Sequence, residues 1–514
     1  MTLVAPGTFQ HVSRRLLVET VSPGRHFVFN PLSGAVDMLD DAELARLRKL
    51  QQGEPVPLSP GLEQDLRARR YLFDDPFQEE TFLEGTVADA WQRMQAHQPE
   101  TYTVCPTLAC NLACAYCFEG DSLLDKQQGV MAGPQVGQLF EAITHLRQAA
   151  TERGQTSPYP PWIALFGGEP LLPSTRACVS QILRHAAEGG FLVGATTNGV
   201  NVTRFEDLLR EYHDILATFQ ITLDGPQAVH DSRRHRLGGQ GTFAEIVRGI
   251  DLLLSLDIDV DLRVNLDAGN LPALPELVDF LFEKGWAGRG GFRLALAPVT
   301  QHGSGGCSAK SARILSEMEL AQGVLALMED HPRVAQTCHL GFLRHLDHLV
   351  SVLEPEKRAR DGKTVGRIGP RYWYCEASTD KQFVFTPEGL IYSCTEAVGK
   401  PGHAIGRFAP ALDLWQDQAE QWIGRTILSH PKCRACSIST LCGGGCNFAA
   451  KEWQTGTGKL LQIAVQGRTA GTPRAQAEQS EPYCNAAEQT VRGYLRHVGR
   501  RWSLAERAVD EAPA

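Results

Sequence analysis

Cys110-Asn111-Leu112-Ala113-Cys114-Ala115-Tyr116-Cys117-Phe118 sets three cysteines in a C-x3-C-x2-C spacing, with an aromatic residue directly after the third. Such a run can wrap three thiolates around one face of an iron–sulfur cube, which takes one ligand per iron. Three protein thiolates then leave one iron open to a small molecule. The spacing also suits a tetrahedral zinc site completed by a ligand from elsewhere. The rest of the chain separates the two.

Thr101–Pro106, just upstream, reads as a strand, and further strand patterns fall at Trp162–Phe166, Leu192–Thr196, Ala217–Leu223, Ile258–Val264 and Phe292–Ala297. Amphipathic helical patterns lie between them, as in Val136–Leu146, Thr242–Leu256 and Leu274–Lys284. Repeated βα units predict an α/β fold with a parallel sheet. The cysteine loop follows the first strand and so falls at the end where such barrels carry their active sites. Later strands also end in motifs. Phe166-Gly167-Gly168-Glu169-Pro170 offers glycines that let backbone approach a ligand and a carboxylate that can accept from an ammonium. Thr196-Thr197-Asn198-Gly199 follows the third strand and Leu223-Asp224-Gly225 the fourth, where Asp224 either faces the cavity or caps a turn. Arg263-Val264-Asn265 ends the fifth, with Arg263 placed to meet a carboxylate.

Together these segments closely resemble the radical SAM enzymes. The resemblance implies a partial (β/α)6 TIM-like barrel over 101–298. Cys110, Cys114 and Cys117 would hold a [4Fe–4S] cluster whose open iron chelates S-adenosylmethionine, cleaved to a 5′-deoxyadenosyl radical that abstracts hydrogen. It further implies that Gly167, Gly168 and Glu169 lie near the SAM amino group, Thr197 and Asn198 near its ribose and carboxylate, and Asn265 at a position that often contacts SAM.

A second cysteine group reads Cys375-x13-Gly389-x4-Cys394, then Cys433-x2-Cys436-x5-Cys442-x3-Cys446, then Cys484. It closely resembles the SPASM domain of radical SAM enzymes that modify peptides and proteins, here spanning 371–490; zinc ribbons are the alternative. The resemblance implies two auxiliary [4Fe–4S] clusters, three clusters in all. Cys433, Cys436, Cys442 and Cys484 would hold one, and Cys375, Cys394 and Cys446 the other. Fully ligated members place a further cysteine a few residues after the first, and Glu376 to Gln382 contains none. A distant group such as Cys338 or Cys307 completes that cluster, or one iron stays open, as for a substrate thiolate. Buried clusters tuned by charge and hydrogen bonds can accept the electron that a substrate radical gives up.

Residues 1–100 read as a separate winged-helix-like α+β unit. His26 to Leu39 gives two strands around an Asn-Pro-x-Ser-Gly turn. Asp40 and Asp41 cap a helix through about Gln51, a second helix covers Pro60 to Arg69, and Tyr71-Leu72-Phe73 closes as a strand. The pattern resembles precursor-recognition modules that bind a leader peptide as an added strand; a plain cap on the barrel is the alternative. Residues 299–370 form a bridge with a flexible loop, Gln301 to Cys307, and helices near Glu317–Met328 and Leu343–Leu353. A C-terminal helix opens the 491–514 segment, and the tail after Ser503 reads as disordered.

Composition bounds the function. At 514 residues, two or three domains are expected. A net charge of -9 and a pI near 6.0 argue against a nucleic-acid partner. No signal peptide and no membrane span of roughly 18–20 apolar residues is evident, so a cytoplasmic setting is expected. There fourteen cysteines favour metal binding or catalysis over disulfides.

The expected function is a radical SAM peptide maturase that forms an intramolecular C–C or thioether crosslink in a ribosomal precursor, with a reduced flavodoxin- or ferredoxin-type electron donor. One alternative is maturation of an enzyme subunit, by protein crosslinking or formylglycine formation. Sulfatase maturases place an Asp base after the cysteine matching Cys394, whereas this chain has Thr395 and then Glu396. Glu396 and Asp224 are the candidate catalytic carboxylates. A non-catalytic Fe–S electron carrier is the alternative of a different class, disfavoured because a carrier has no need of the SAM-binding segments.

Overall fold

The computed structural model describes residues 10–117, 129–300, 314–354, 368–400, 402–454, 482–484 and 487–510. The expected strands all form, each within two residues at either end: β6 Thr101–Val104, β7 Trp162–Leu165, β8 Leu192–Thr197, β9 Leu216–Thr222, β10 Asp259–Leu266 and β11 Phe292–Pro298. Neighbours pair in parallel and in sequence order. Each strand therefore returns by way of a helix, and all six C-terminal ends share one rim. The helix Phe243–Ser255 shows why the pattern was legible: Phe243, Ile246, Ile250, Leu253 and Leu254 form one buried stripe at 3.6-residue spacing.

The sheet does not stop at the barrel. β12 (Gln382–Phe385) pairs in parallel with β6, and β13 (Leu390–Tyr392), β14 (Gly406–Arg407) and β15 (Asp413–Leu414) continue it antiparallel. Thr101 N donates to Lys381 O at 2.8 Å and Cys105 N to Phe385 O at 2.9 Å. The second cysteine region is thus built onto the barrel's first strand. This brings Cys394, just beyond β13, into the same ten-stranded sheet as the first cysteine loop.

The N-terminal region is more elaborate than the sequence reading. β2 (Leu17–Ser22), β3 (Arg25–Asn30) and β4 (Ala35–Leu39) form a three-stranded antiparallel sheet; β1 (His11–Val12) pairs with β5 (Leu72–Phe73). The two expected helices run over Asp41–Gln51 and Pro60–Ala68. Asp40 accepts from Glu43 N at 2.8 Å while Glu43 accepts from Asp40 N at 2.9 Å, a reciprocal cap that fixes the first helix start. A third helix, Pro76–His97, carries only a shallow apolar stripe and was not expected.

Two further expectations are corrected. The C-terminal helix spans Ala487–Asp510, so it starts before 491 and continues past Ser503 instead of fraying there. It is held because it packs on β2 and β3. Arg492 and Arg496 both reach Glu19, at 2.6 and 2.8 Å, and Trp502 meets Phe27 edge-on at 5.4 Å. In the bridge, the helix covers Asp347–Leu353 only, after a 3-10 turn at Leu340–Phe342. The loop from Gln301 to Cys307, like Phe118, lies outside the described residues.

Candidate active site

The Gly-Gly-Glu-Pro segment lies flush against the start of the cysteine loop. Gly168 N donates to Thr107 O at 3.2 Å and Glu169 N to Ala109 O at 2.9 Å. A Cβ on Gly167, whose φ is +114°, would sit 2.3 Å from Thr107 O, so only glycine allows this approach. Glu169 is wholly buried. Its Oε1 accepts from Leu171 N (2.8 Å) and Thr197 Oγ1 (2.6 Å), and its Oε2 from Asn198 N (2.7 Å). That leaves about one of roughly four carboxylate acceptor positions for an incoming ammonium. Burial pushes the Glu169 carboxyl up, against the pull of those donors and of Arg234. Asn198 Nδ2 donates to Asn111 Oδ1 at 2.8 Å and lies 3.8 Å from Cys110 Sγ. The ends of β7 and β8 thus converge on the loop that follows β6.

Tyr116, inside that loop, organises the opposite wall. Its hydroxyl donates a short hydrogen bond to Asp224 and accepts from Arg234 Nη1 (2.7 Å) and Asn265 Nδ2 (3.2 Å). Arg233 lies over its ring at 5.0 Å from the centroid and is itself held by Asp267 at 2.8 Å. Asp224 also accepts from Asn265 N at 3.0 Å and from Arg233 Nε at 3.4 Å. Both of its oxygens are therefore engaged, and at 1% exposure it positions the loop instead of presenting a free base. Ala113 N donates to His235 O at 2.9 Å and Leu112 bridges Arg236, so the 233–236 segment grips the loop by backbone as well. Sequence reading missed this grip; the Arg233-Arg234-His235-Arg236 run was its only signal. Tyr116→Phe removes the shared hydroxyl and strands buried charges. It is expected to destabilise the apo-protein by about 1–3 kcal/mol, read as a lowered denaturation midpoint. An unchanged midpoint would show that the hydroxyl bears no load.

The thiols suit a cluster. Burial, with the Glu169 carboxylate nearby, pushes the Cys110 thiol up to about 12, so binding a metal there must release a proton. Although burial opposes its charge, the Arg234 pKa is raised by its neighbours Cys114, Tyr116 and Asp224, with the Tyr116 hydroxyl accepting from its Nη1. Three sulfurs on one loop, a glycine cradle behind them and a cation beside them fit a three-thiolate iron–sulfur site. No three His, Cys, Asp or Glu among the described residues converge tightly enough for a single metal ion. A cube spreads its ligands more widely, one to each iron.

The second cysteine group divides in two. Cys375, Cys394 and Cys446 lie within electrostatic reach of one another and of Glu396; burial foremost, then this crowding, raises the Cys394 thiol and takes Cys446 to about 12. Cys433, Cys436, Cys442 and Cys484 form the other set, with Cys433 also raised to about 12 by burial and its three neighbours. Glu396 sits in the 3-10 turn Thr395–Ala397 directly after Cys394. Burial lowers the Arg263 pKa, with Tyr116, Asp224 and Glu396 opposing. Arg263 itself bonds Asn265 Oδ1 at 2.8 Å. Cys338 is buried, 2% exposed, after the helix Pro332–Thr337, and Cys307 lies outside the described residues.

Residues 104–281 match the radical SAM superfamily model. The chain is 23% identical over 362 residues to a serine-type anaerobic sulfatase-maturating enzyme of Klebsiella aerogenes, covering 66% of this chain and 77% of that one. It is also 23% identical over 172 residues to an AdoMet-dependent heme synthase of Oleidesulfovibrio alaskensis, a match covering 33% of this chain and 39% of that enzyme. Among solved structures, native anSMEcpe with bound AdoMet and Cp18Cys peptide superposes with a TM-score of 0.51 at 15% identity. That match covers 78% of this chain and 99% of the other. A hexahistidine-tagged form of anSMEcpe with bound AdoMet gives 0.53 at 15% identity, covering 81% and 96%.

Proposed function

From a radical SAM domain at residues 104–281, we propose that this protein is a maturase that oxidatively modifies a ribosomally made peptide, forming an intramolecular C–C or thioether crosslink. The observation that carries this reading is the convergence of the cysteine loop, Glu169 and Asn198 at one barrel rim, with Cys394 placed just beyond β13 of the same ten-stranded sheet, near Cys375 and Cys446. When bound, the first cluster with SAM supplies a 5′-deoxyadenosyl radical for hydrogen abstraction, and two auxiliary clusters supply acceptors for the electron the substrate then loses.

The chain's own residues do the rest. Cys110, Cys114 and Cys117 present thiolates on a loop that Tyr116 and Arg234 hold in place. Gly167 and Gly168 bring backbone close, and Glu169, Thr197, Asn198 and Asn265 line the SAM side. Cys375, Cys394 and Cys446 form one auxiliary site, and Cys433, Cys436, Cys442 and Cys484 the other. Glu396, in the turn directly after Cys394, is the candidate acceptor of the substrate proton. β4, an edge of its sheet among the described residues, is the strand to which a precursor peptide can add. The electron donor in this reading is a reduced flavodoxin or ferredoxin.

Likeness to the sulfatase-maturating enzyme over 66% of the chain favours a second reading, formylglycine formation, although Thr395 stands directly after Cys394. The test is anaerobic incubation of the reduced, iron-loaded protein with SAM and the peptides encoded beside its gene. Formation of 5′-deoxyadenosine with a peptide lighter by the hydrogens removed, and newly resistant to fragmentation between the joined residues, is expected. An aldehyde trapped by hydrazine would favour formylglycine. No 5′-deoxyadenosine from fully loaded protein would leave the electron-carrier alternative.

A further inference from the structure

Arg15 lies in the turn between β1 and β2 and is wholly buried, 0% exposed. Burying a guanidinium is costly unless its charge is paired and its donors are used. Here Nη1 meets Glu79 Oε1 at 3.2 Å. Nη2 donates to the backbone carbonyl of Arg434 at 2.6 Å, a bond spanning 419 positions of sequence. Nε has no hydrogen-bond partner among the described residues. Arg434 closes the helical turn Pro431–Arg434 and stands between Cys433 and Cys436. A cation at a helix C-terminal carbonyl satisfies an acceptor the turn cannot satisfy itself.

The hold is reinforced from the same side. Glu79, also 0% exposed, accepts from Ser13 Oγ at 2.7 Å and Arg14 N at 3.4 Å, and lies 2.8 Å from His11 Nε2. On the same helix, Pro76–His97, Glu80 and, one turn on, Glu84 each accept from Arg434 Nη1 at 2.7 Å. Arg434 Nε donates to Leu428 O at 2.9 Å. An apolar seam runs beside these bonds: Leu32, Leu83 and Val87 from the N-terminal region pack with Tyr372, Ile427 and Cys433 itself. Trp91 meets Trp373 edge-on at 5.4 Å across the same seam. The first hundred residues thus wall one side of the cysteine turn and hold its backbone.

We propose that Arg15, set by Glu79, is a positioning residue for the Cys433–Cys436 turn, so that the N-terminal unit is a built-in part of this metal site and not a detachable adaptor. The inference rests on the reading that Cys433, Cys436, Cys442 and Cys484 hold an iron–sulfur cluster. Residues that orient metal ligands typically change metal affinity 10- to 100-fold when removed. The turn can still form without Arg15, but its thiolates are then no longer held in ligating register.

The test uses the full chain carrying Cys110→Ala, Cys114→Ala and Cys117→Ala, which leaves about eight irons in two auxiliary clusters after anaerobic reconstitution. Into it go Arg15→Met, Arg15→Lys, Cys433→Ala and, as a control for loosening the N-terminal sheet elsewhere, Glu19→Gln. Iron, sulfide and the electron paramagnetic resonance of each reduced cluster are measured after chelator challenge. Arg15→Met is expected to lose the same spectral component as Cys433→Ala, falling toward about four irons, with Arg15→Lys between and Glu19→Gln unchanged. Retention of both clusters by Arg15→Met while Cys433→Ala loses one overturns the proposal. Loss of both components together by Arg15→Met also overturns it, as general unfolding. If Cys433→Ala itself keeps about eight irons, the underlying cluster reading fails instead.

Discussion

Replacing Cys110, Cys114 and Cys117 together with alanine is expected to abolish 5′-deoxyadenosine formation and to lower iron from about twelve to about eight per chain. The effect is all-or-none because the three thiols sit on one short loop. Each contributes one ligand to the same site, so removing all three leaves the loop with none. The fold should survive. Tyr116, Asp224 and the 233–236 segment hold the loop through contacts that do not involve the sulfurs. Metal analysis beside a SAM-cleavage assay checks both halves. Wild-type protein with about four irons and zinc in place of the rest would make the C-terminal cysteines structural and remove the electron acceptor that crosslinking needs.

Gly168→Ala is expected to cost the first cluster while adding a single methyl group. Its Cβ would lie 2.3 Å from Leu108 O and 2.4 Å from Ala109 O, both backbone atoms that cannot rotate away. The cysteine loop must shift instead, carrying Cys110 off its place beside Asn198. Glycine to alanine ordinarily stabilises a chain by about 0.4–1 kcal/mol where the backbone tolerates it. Here the sign reverses, with a loss of about 1–3 kcal/mol expected from overpacking. Gly137→Ala is the control: Gly137 lies in the helix Gly133–Glu152, with nothing within 4 Å of the added atom. The pair is compared by thermal unfolding of apo-protein and by iron content after reconstitution. If Gly168→Ala matches Gly137→Ala in both, the close approach of the two segments is not needed.

Much of the barrel was legible because its signals are local. Apolar spacing such as that from Phe243 to Leu254 specifies a helix and its buried face within one stretch of chain. Cys110, Glu169 and Asn198 were each marked by short motifs at strand ends, and parallel topology carries every strand end to one rim. The helix Pro76–His97 was missed for the converse reason. It holds no continuous apolar stripe, since its buried positions include Glu79 and Gln95 as well as Leu83 and Val87. A polar residue buried by a partner far along the chain has no signature in its neighbours. Tyr116 and Arg234 escaped in the same way, being separated by 118 positions and joined at 2.7 Å.

The sequence by itself determined the run of βα units with a parallel sheet and the loop that presents three thiols, because each follows from periodicity or spacing within short segments. Family resemblance in the same sequence supplied the division of the later cysteines into two sets. Only the tertiary structure decided that Asp224 is a buried support, bonded by Tyr116, Arg233 and Asn265. Only it placed Arg15 against the carbonyl of Arg434. Those roles depend on which charges meet in a space without water, where an unpaired group is costly and a partner hundreds of residues away removes that cost.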